Sequence, residues 1–445
     1  MTTNLTTGSI SKNLFTFALP FFCASLFQTL YGTVDLFIIG IFCDAAVTSA
    51  VSTGSQIMHF LTSLIISLAV GSTVLIASCV GRGKPNEIRH AAGGTVIIFA
   101  VAAVFLAVLL SFLVEPILKA MSTPDQAFFY AGQYLRICFL GIPLIVAYNV
   151  IACVYQGLGD TKTPMYLVML SCIINVAADF LFIGVFHMGA LGAALGTVGS
   201  QGIAVLSALI IIKRTKPVPG FCLEDCRPQG HVLKQILRVG IPVMVQDALI
   251  HFAFLFIMMI ANTKGVSVSA AVGIVEKIIC VLFLIPSSMR TAVASVAAQN
   301  FGAGFVKRAD STMKTAAVFC MISGIILAVL FQFIADDVVA LFTKDAAVIM
   351  YGTQYLRAYV FDCIFAGIHF SVSGWFNAGN RSNLTFIHNA VSALLFRIPL
   401  SWLAATMFPY NLTAMGWAPP IGSVFSMVFC IIAYFVIIKK RQPEV

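Results

Sequence analysis

The sequence predicts an all-α integral membrane fold: twelve transmembrane helices in two parallel, pseudo-symmetric six-helix bundles. Three observations carry that reading. Of the 445 residues, 60% are hydrophobic and 10% charged, against roughly 25% charged in a soluble domain. Apolar runs recur along the whole chain at about the ~20 residues an α-helix needs to cross ~30 Å of hydrocarbon, whereas membrane-barrel strands would be half as long and strictly alternating. Finally, the second half repeats features of the first at a nearly constant offset.

Taken in order, the first span, 14–41, contains Pro20 and then Gln28, Tyr31 and Asp35 at i, i+3 and i+7, which a helix stacks on one face. It is about twice a signal-peptide core and no small-residue cleavage site follows it, so it is expected to stay as a span behind the polar Met1–Asn13. Spans at 47–79 and 92–114 follow. The fourth, 130–155, carries Tyr134 and Asn149, and the fifth, 163–186, sets Asn175 and Asp179 on one face at i and i+4. The sixth, 190–212, contributes Thr197. The seventh, 236–261, contains Pro242 and the i, i+4 pair Asp247 and His251. The eighth, 267–298, holds Glu276, Lys277 and Arg290; the adjacent Glu276 and Lys277 do not face each other on a helix. Spans at 313–334, 353–377, 384–407 and 416–438 complete the set, the tenth with Arg357 and Asp362 and the eleventh with Arg397.

The segment from Lys213 to Leu233, KRTKPVPGFCLEDCRPQGHVL, has three Pro and mixed charge and reads as a linker. It divides the chain into an N-terminal lobe at 1–212, a cytoplasmic linker at 213–235 and a C-terminal lobe at 236–445. VGRGKPNEIR at Val80 returns as FGAGFVKRAD at Phe301, Tyr134-Leu135-Arg136 as Tyr355-Leu356-Arg357, YQGLGD at Tyr155 as WFNAGN at Trp375, and Pro20 as Pro242. An even number of spans per half gives both repeats the same orientation, with their axis along the membrane normal. Parallel repeats of this kind are a transporter architecture that alternates access by rocking one bundle against the other. GRGK and GAGF are turns rather than phosphate loops, because no strand precedes them and no Lys-Ser/Thr follows.

Basic residues gather on one side of the predicted membrane: Lys12, Arg82, Lys84, Arg89, Lys162, the group from Lys213 to Arg238, Lys307, Arg308, Lys314, Arg381 and Lys439, Lys440, Arg441. Only Lys119, Lys264 and Lys344 fall on the other, so both termini are expected in the cytoplasm. Topology thus accounts for the net charge of +9, and no nucleic-acid partner is expected, since that needs a concentrated basic patch. The twelve cysteines are mostly single within spans, where free Cys behaves as a small hydrophobe. Cys222 and Cys226 lack a second Cys or His pair at zinc spacing. No cofactor is expected beyond a coupling ion.

A charged side chain at mid-bilayer costs roughly 2.5–3.5 kcal/mol on insertion scales, so Asp35 and Asp179 need a cavity or a polar partner. Brought into one bundle with Gln28, Tyr31, Asn175, Thr197, Tyr134 and Asn149, they would form a small oxygen-rich cavity. Two neighbouring carboxylates in a low dielectric do not both ionise readily, so such a pair can exchange a proton or bind Na⁺ as access alternates. The plainer reading, hydrogen-bonding glue between helices, weighs most on Asn149 and Thr197. In the second half, Asp247, His251, Glu276, Lys277 and Arg290 are candidates either for the substrate cavity or for an ion-pair network that closes the bundle. Arg136 and Arg357, near outer helix ends, read as snorkelling or gate residues.

These residues resemble the multidrug and toxic compound extrusion (MATE) family, in its DinF-type prokaryotic branch. The resemblance covers essentially the whole chain: Pro20 followed by TVDLFIIG at Thr33, YQGLGDTKTPM at Tyr155, and NVAADFLFI at Asn175 leading to HMGALGAALGT ending at Thr197. It implies a MATE-like multidrug efflux antiporter in the prokaryotic inner membrane. Such a protein exports organic, cationic or amphipathic compounds in exchange for H⁺ or Na⁺, and is expected to work as a monomer in the lipid bilayer. Carried over residue by residue, it places cation coupling, including Na⁺ binding, at Asp35, Asn175 and Asp179. Thr197, Gln28, Tyr134 and Asn149 become neighbours of that site and Pro20 a bend point, with Pro242 as its repeat counterpart. Another MATE branch uses carboxylates of the seventh and tenth helices for sodium; Asp247 and Asp362 are shifted about a turn from those positions, so the resemblance carries no second cation site here. Two other functions compete. A lipid-linked oligosaccharide flippase of the same superfamily would use Lys277, Arg290 and Arg397 for pyrophosphate. An intramembrane prenyltransferase-like enzyme would need clustered Asp for Mg²⁺, and no further Asp follows Asp179 in the next turn.

Overall fold

In the computed structural model, residues 4–408 and 411–439 are described; Lys440 and Arg441, counted above with the basic side, lie outside the described residues. The helices of the first half are α1 (Ile10–Phe42), α2 (Ala45–Arg82), α3 (Pro85–Phe112), α4 (Val114–Ala120), α5 (Asp125–Leu140), α6 (Ile142–Gly157), α7 (Lys162–Asp179) and α8 (Gly189–Thr215). Those of the second are α9 (Gly230–Asn262), α10 (Val266–Leu282), α11 (Leu284–Gly302), α12 (Val306–Ala340), α13 (Ala346–Tyr359), α14 (Asp362–Ala378), α15 (Ser382–Val391), α16 (Ile398–Met407), α17 (Leu412–Gly416) and α18 (Ala418–Lys439). Among the described residues, ten helical stretches are long and apolar enough to cross a membrane, and the bent pairs α5–α6 (48°) and α13–α14 (42°), each taken as one span, make twelve. All twelve expected spans are therefore present.

Several spans are broken where the sequence pattern runs on. Pro143 sits in the first turn of α6 and Pro286 in that of α11, and a proline lacks the N–H that would tie it to the previous turn. The fifth and eleventh spans each contain a π-helical segment, Phe180–Val185 directly after α7 and Ser392–Arg397 between α15 and α16. Single π turns inside α-helices often mark functional positions. α1 and α9 instead run through Pro20 and Pro242 as continuous helices.

The chain forms two compact units. Unit 1 holds Leu19–Gly240. Its core packs Phe99, Tyr134, Leu135 and Phe139 with Ile38 and Ile39 of α1. The first residues of α9 belong to it as well: Ile236 and Gly240 lie so close to Gly71 and Leu68 of α2 that only glycine fits at 71 and 240. Unit 2 holds Leu5–Ala18 and the chain from Ile241, around a core that includes Tyr355, Leu356, Tyr359 and Val360. Leu5 is 3% exposed. Its N–H donates to Gln299 Oε1 at 3.1 Å, and Arg308 Nη2 donates to the Thr7 and Gly8 carbonyls at 2.9 and 2.7 Å. α1 thus enters unit 1 one residue before Pro20, and α9 enters unit 2 one residue before Pro242.

The repeat read from sequence recurs in local geometry. Gly83 and Gly304 end their turns at φ 67° and 80°, a left-handed conformation that costs glycine nothing. In both halves the Tyr and Leu of Tyr-Leu-Arg are buried in the core. The Arg points outward to a carboxylate at the same repeat position: Arg136 to Glu115 at 3.7 Å and Arg357 to Asp336 at 2.7 Å. These are largely exposed ion pairs, each worth about 0–1 kcal/mol. In YQGLGD, Asp160 Oδ1 accepts from the backbone N–H groups of Lys162 and Thr163 at 2.9 and 3.1 Å, starting α7.

Candidate functional site

The site in unit 1 is built by three helices. α1 carries Gln28, Tyr31 and Asp35 down one face; Gln28 is exposed, Tyr31 half-buried and Asp35 8% exposed. α7 brings Asn175 and Asp179, both fully buried, and Asp179 is its last α-helical residue before the π segment. α8 lies alongside with Gly196 and Thr197. With its amide turned to suit both neighbours, Asn175 Nδ2 donates to Asp35 Oδ1 at 2.7 Å, and its oxygen accepts from the Thr197 backbone N–H at 3.3 Å. One amide therefore ties α1, α7 and α8 together at the carboxylate.

The Asp35 and Asp179 carboxyl groups are within interaction range of each other, yet neither Asp179 oxygen has a donor that meets hydrogen-bond geometry among the described residues. No Lys, Arg or His among the described residues forms an ion pair with either Asp. Asp179 Oδ1 fills the space where a side chain at Gly196 would stand. Tyr31 interacts with both Thr197 and Asp35. Behind it, Tyr134 is held by Ser55 Oγ at 3.2 Å, its ring packed on Gly54. Asn149 is not drawn into the carboxyl pair: its amide donates to Ile145 O one turn back, at 2.8 Å. Gln28 and Tyr31 also line a small pocket with Tyr148, Ser171, Cys172 and Gln201.

Gly196, Ser171 and Gln201 were not singled out from sequence. The Gly-Ala run ahead of Thr197 held the signal for Gly196, because small residues let helices approach closely.

In unit 2 the charged candidates fall into separate pairs. Arg290 Nη1 lies 3.5 Å from Asp247 Oδ1, with Gln246 Nε2 on the same oxygen at 3.1 Å and the guanidinium over the Phe370 ring at 5.3 Å. Arg397 Nη2 reaches Asp362 Oδ2 at 3.2 Å. His251 and Glu276 are half-buried, Glu276 Oε1 has no hydrogen-bond partner among the described residues, and Lys277 is exposed. No group of three or more His, Cys, Asp or Glu that could hold a metal ion occurs among the described residues.

The profile of the MatE family covers residues 20–181 and 242–403. "Probable multidrug resistance protein YpnP" of Bacillus subtilis (strain 168) is 28% identical over 400 residues, 90% of this chain and 89% of its own. "Multidrug export protein MepA" of Staphylococcus haemolyticus is 23% identical over 440 residues, 98% of this chain and 95% of its own. Among solved structures, an outward-facing multidrug resistance MATE family transporter of the MOP superfamily superposes with a TM-score of 0.92 over 100% of both chains, at 21% identity. A MATE protein crystallised in its straight conformation gives 0.89, over 98% of this chain and 97% of its own, also at 21% identity.

Proposed function

The chain belongs to the MatE family, and we propose that it is a secondary active antiporter exporting small organic compounds, cationic or amphipathic, in exchange for H⁺ or Na⁺ by alternating access. The observation that carries this reading is the proximity of Asp35 and Asp179, both buried, Asp35 held by Asn175, and neither with a basic partner among the described residues. A structural ion pair would have its counter-charge in place; these carboxyls depend on a mobile one. Arrival of the ion removes their mutual repulsion and its departure restores it, so the packing of α1 against α7 follows ion occupancy. Pro20 and Pro242 lack the N–H of a regular turn and are the places where α1 and α9 yield. The names of the relatives, multidrug resistance and multidrug export proteins, support the substrate class.

Either ion suits this donor set: a proton can be shared between the two carboxyl groups, and Na⁺ can be held by them with the Asn175 amide turned oxygen-first. Of the three residues of the flippase reading, Arg290 and Arg397 are each engaged by a carboxylate, which weakens it, while Lys277 is exposed.

The test is efflux of a fluorescent organic cation from proteoliposomes under separately imposed proton and sodium gradients. Wild type is expected to respond to one of the two gradients, which identifies the coupling ion, and Asp35→Asn and Asp179→Asn to fall to the level of empty liposomes. Wild-type rates from both variants would overturn the coupling assignment.

A further inference from the structure

The two halves of the chain treat buried charge in opposite ways. Their family-matched segments begin at 20 and 242 and end at 181 and 403, a spacing of 222 at both ends. The repeated motifs keep a spacing of 220 to 222, which sets Leu255–Ile257 opposite Asp35, Pro399–Ser401 opposite Asp179, and Leu395–Arg397 opposite Asn175. The second half therefore has neither carboxylate of the first and carries a guanidinium, Arg397, within two residues of the level of Asn175.

Arg397 closes the π-helical segment and its side chain is 14% exposed. Nη2 donates to Asp362 Oδ2 at 3.2 Å and to Ser423 Oγ at 2.8 Å, and Ser423 Oγ faces His369 Nε2 at 3.3 Å. Asp362 is fully buried in the first turn of α14, where the helix dipole favours negative charge. Its other oxygen, Oδ1, has no hydrogen-bond partner among the described residues. Gly422 makes room for the arginine stem: a Cβ there would stand 2.9 Å from Arg397 Cγ. Buried ion pairs add little stability over an apolar replacement, so stability alone does not account for a buried guanidinium here.

We propose that Asp362 is the carboxylate of a monovalent-cation site in unit 2 whose cation the chain supplies itself, as the tethered guanidinium of Arg397. Unit 2 is thereby held in an ion-loaded condition, and the transport cycle moves its coupling ion through unit 1 alone. The stoichiometric part of this statement rests on the proposed exchange at Asp35 and Asp179; the stability part does not. The titratable and charged groups around this carboxylate are Arg397 itself, Tyr355 and Tyr359 of α13, and Glu276 of α10 beside those tyrosines. His369 of α14, with His388 of α15 and Arg290 of α11, lies beyond Ser423 and Arg397. α12 offers Asp310, which is engaged by Trp375 Nε1, and α18 presents the neutral Ser423.

The test compares thermal stability of purified wild type, Arg397→Gln, Asp362→Asn and the double variant, from mildly acidic to mildly alkaline pH, in sodium or choline chloride. Arg397→Gln leaves an unpaired buried carboxylate, so its Tm is expected to fall several degrees below the double variant at alkaline pH in choline. That gap should close on acidification, when the carboxyl takes up a proton, or on adding sodium, and whichever ion closes it identifies the cation. Asp362→Asn, with an unpaired guanidinium, should respond to neither. A gap that ignores both ions, or a double variant no more stable than Arg397→Gln, overturns the proposal. Should Arg397→Gln be too unstable to purify, its amount in membranes against that of the double variant reads the same comparison, equal amounts being the overturning result. In proteoliposomes Arg397→Gln should move one more cation per substrate than wild type. Failure of coupling at Asp35 and Asp179 would remove that last readout and leave the stability comparison unchanged.

Discussion

Asp179 has no donor of fixed geometry among the described residues and no space behind it, and both facts are testable by single substitutions. Gly196→Ala would drive a methyl group into the volume of Asp179 Oδ1. Overpacking of this kind costs about 1–3 kcal/mol, so a reduced Tm and reduced efflux are expected, with the protein still reaching the membrane. Neutralising either carboxyl of the unit 1 pair relieves repulsion, so Asp35→Asn should leave Tm equal or higher while abolishing coupled efflux. Asp362→Asn should do the reverse to Tm, since breaking a buried ion pair costs about 3–5 kcal/mol. Equal Tm changes in the two variants would contradict the contrast between mobile and tethered counter-charge. At this scale the sequence already pointed to Asp35 and Asp179, because charge in an apolar run is conspicuous, and to Asn175 by its i, i+4 spacing to Asp179. It could not show that Asn149 turns back to its own helix, since an amide's partner is decided by which neighbour lies within 3 Å.

Among elements, the connection between α8 and α9 is docked rather than loose. Gly93 of α3 abuts the Asp225 carbonyl so closely that no Cβ fits, and Arg89 Nη1 donates to Gly220 O at 3.0 Å. Gly93→Ala is expected to undock the 3₁₀ turn Leu223–Cys226, seen as faster cleavage after Glu224 by a glutamate-specific protease. The Asp225 carboxylate accepts the Cys222 backbone N–H at 3.0 Å. That bond first, then the Cys222 thiol and the charges of Arg89 and His90, hold it below the ordinary carboxylate value of 3.8. A depressed folded value stabilises above the unfolded one and is lost as pH falls through the folded one. The contribution of Asp225 to amide-exchange protection of this turn should therefore be flat through neutral pH and vanish only in acid below 3.8. Pro, Gly and mixed charge mark the segment as a linker; its docking depends on the depth of approach at Gly93, which composition does not encode.

At the scale of the whole molecule, the compact units are not the two halves of the sequence. Unit 2 includes Leu5–Ala18, and the start of α9 belongs to unit 1. A chain cut in the linker should yield two fragments that are each unstable alone, one lacking Leu5 against Gln299 and Asn300, the other lacking Ile236 and Gly240 against α2. Co-expressed, the fragments should co-purify and recover function. Independent folding of either fragment would count against this division.

The sequence by itself determined the helical membrane class, the twelve spans, the duplicated frame and the carboxylates at Asp35 and Asp179. Each follows from periodicity, length and the cost of charge in hydrocarbon, which are properties of the chain read locally. Only the tertiary structure decided that Asn175 bridges Asp35 to Thr197, that Gly196 yields its volume to Asp179, that Arg397 is matched to Asp362, and that Leu5–Ala18 packs with the second half. Those outcomes depend on separations of a few ångströms between residues far apart in the chain, where hydrogen bonds and close packing are won or lost.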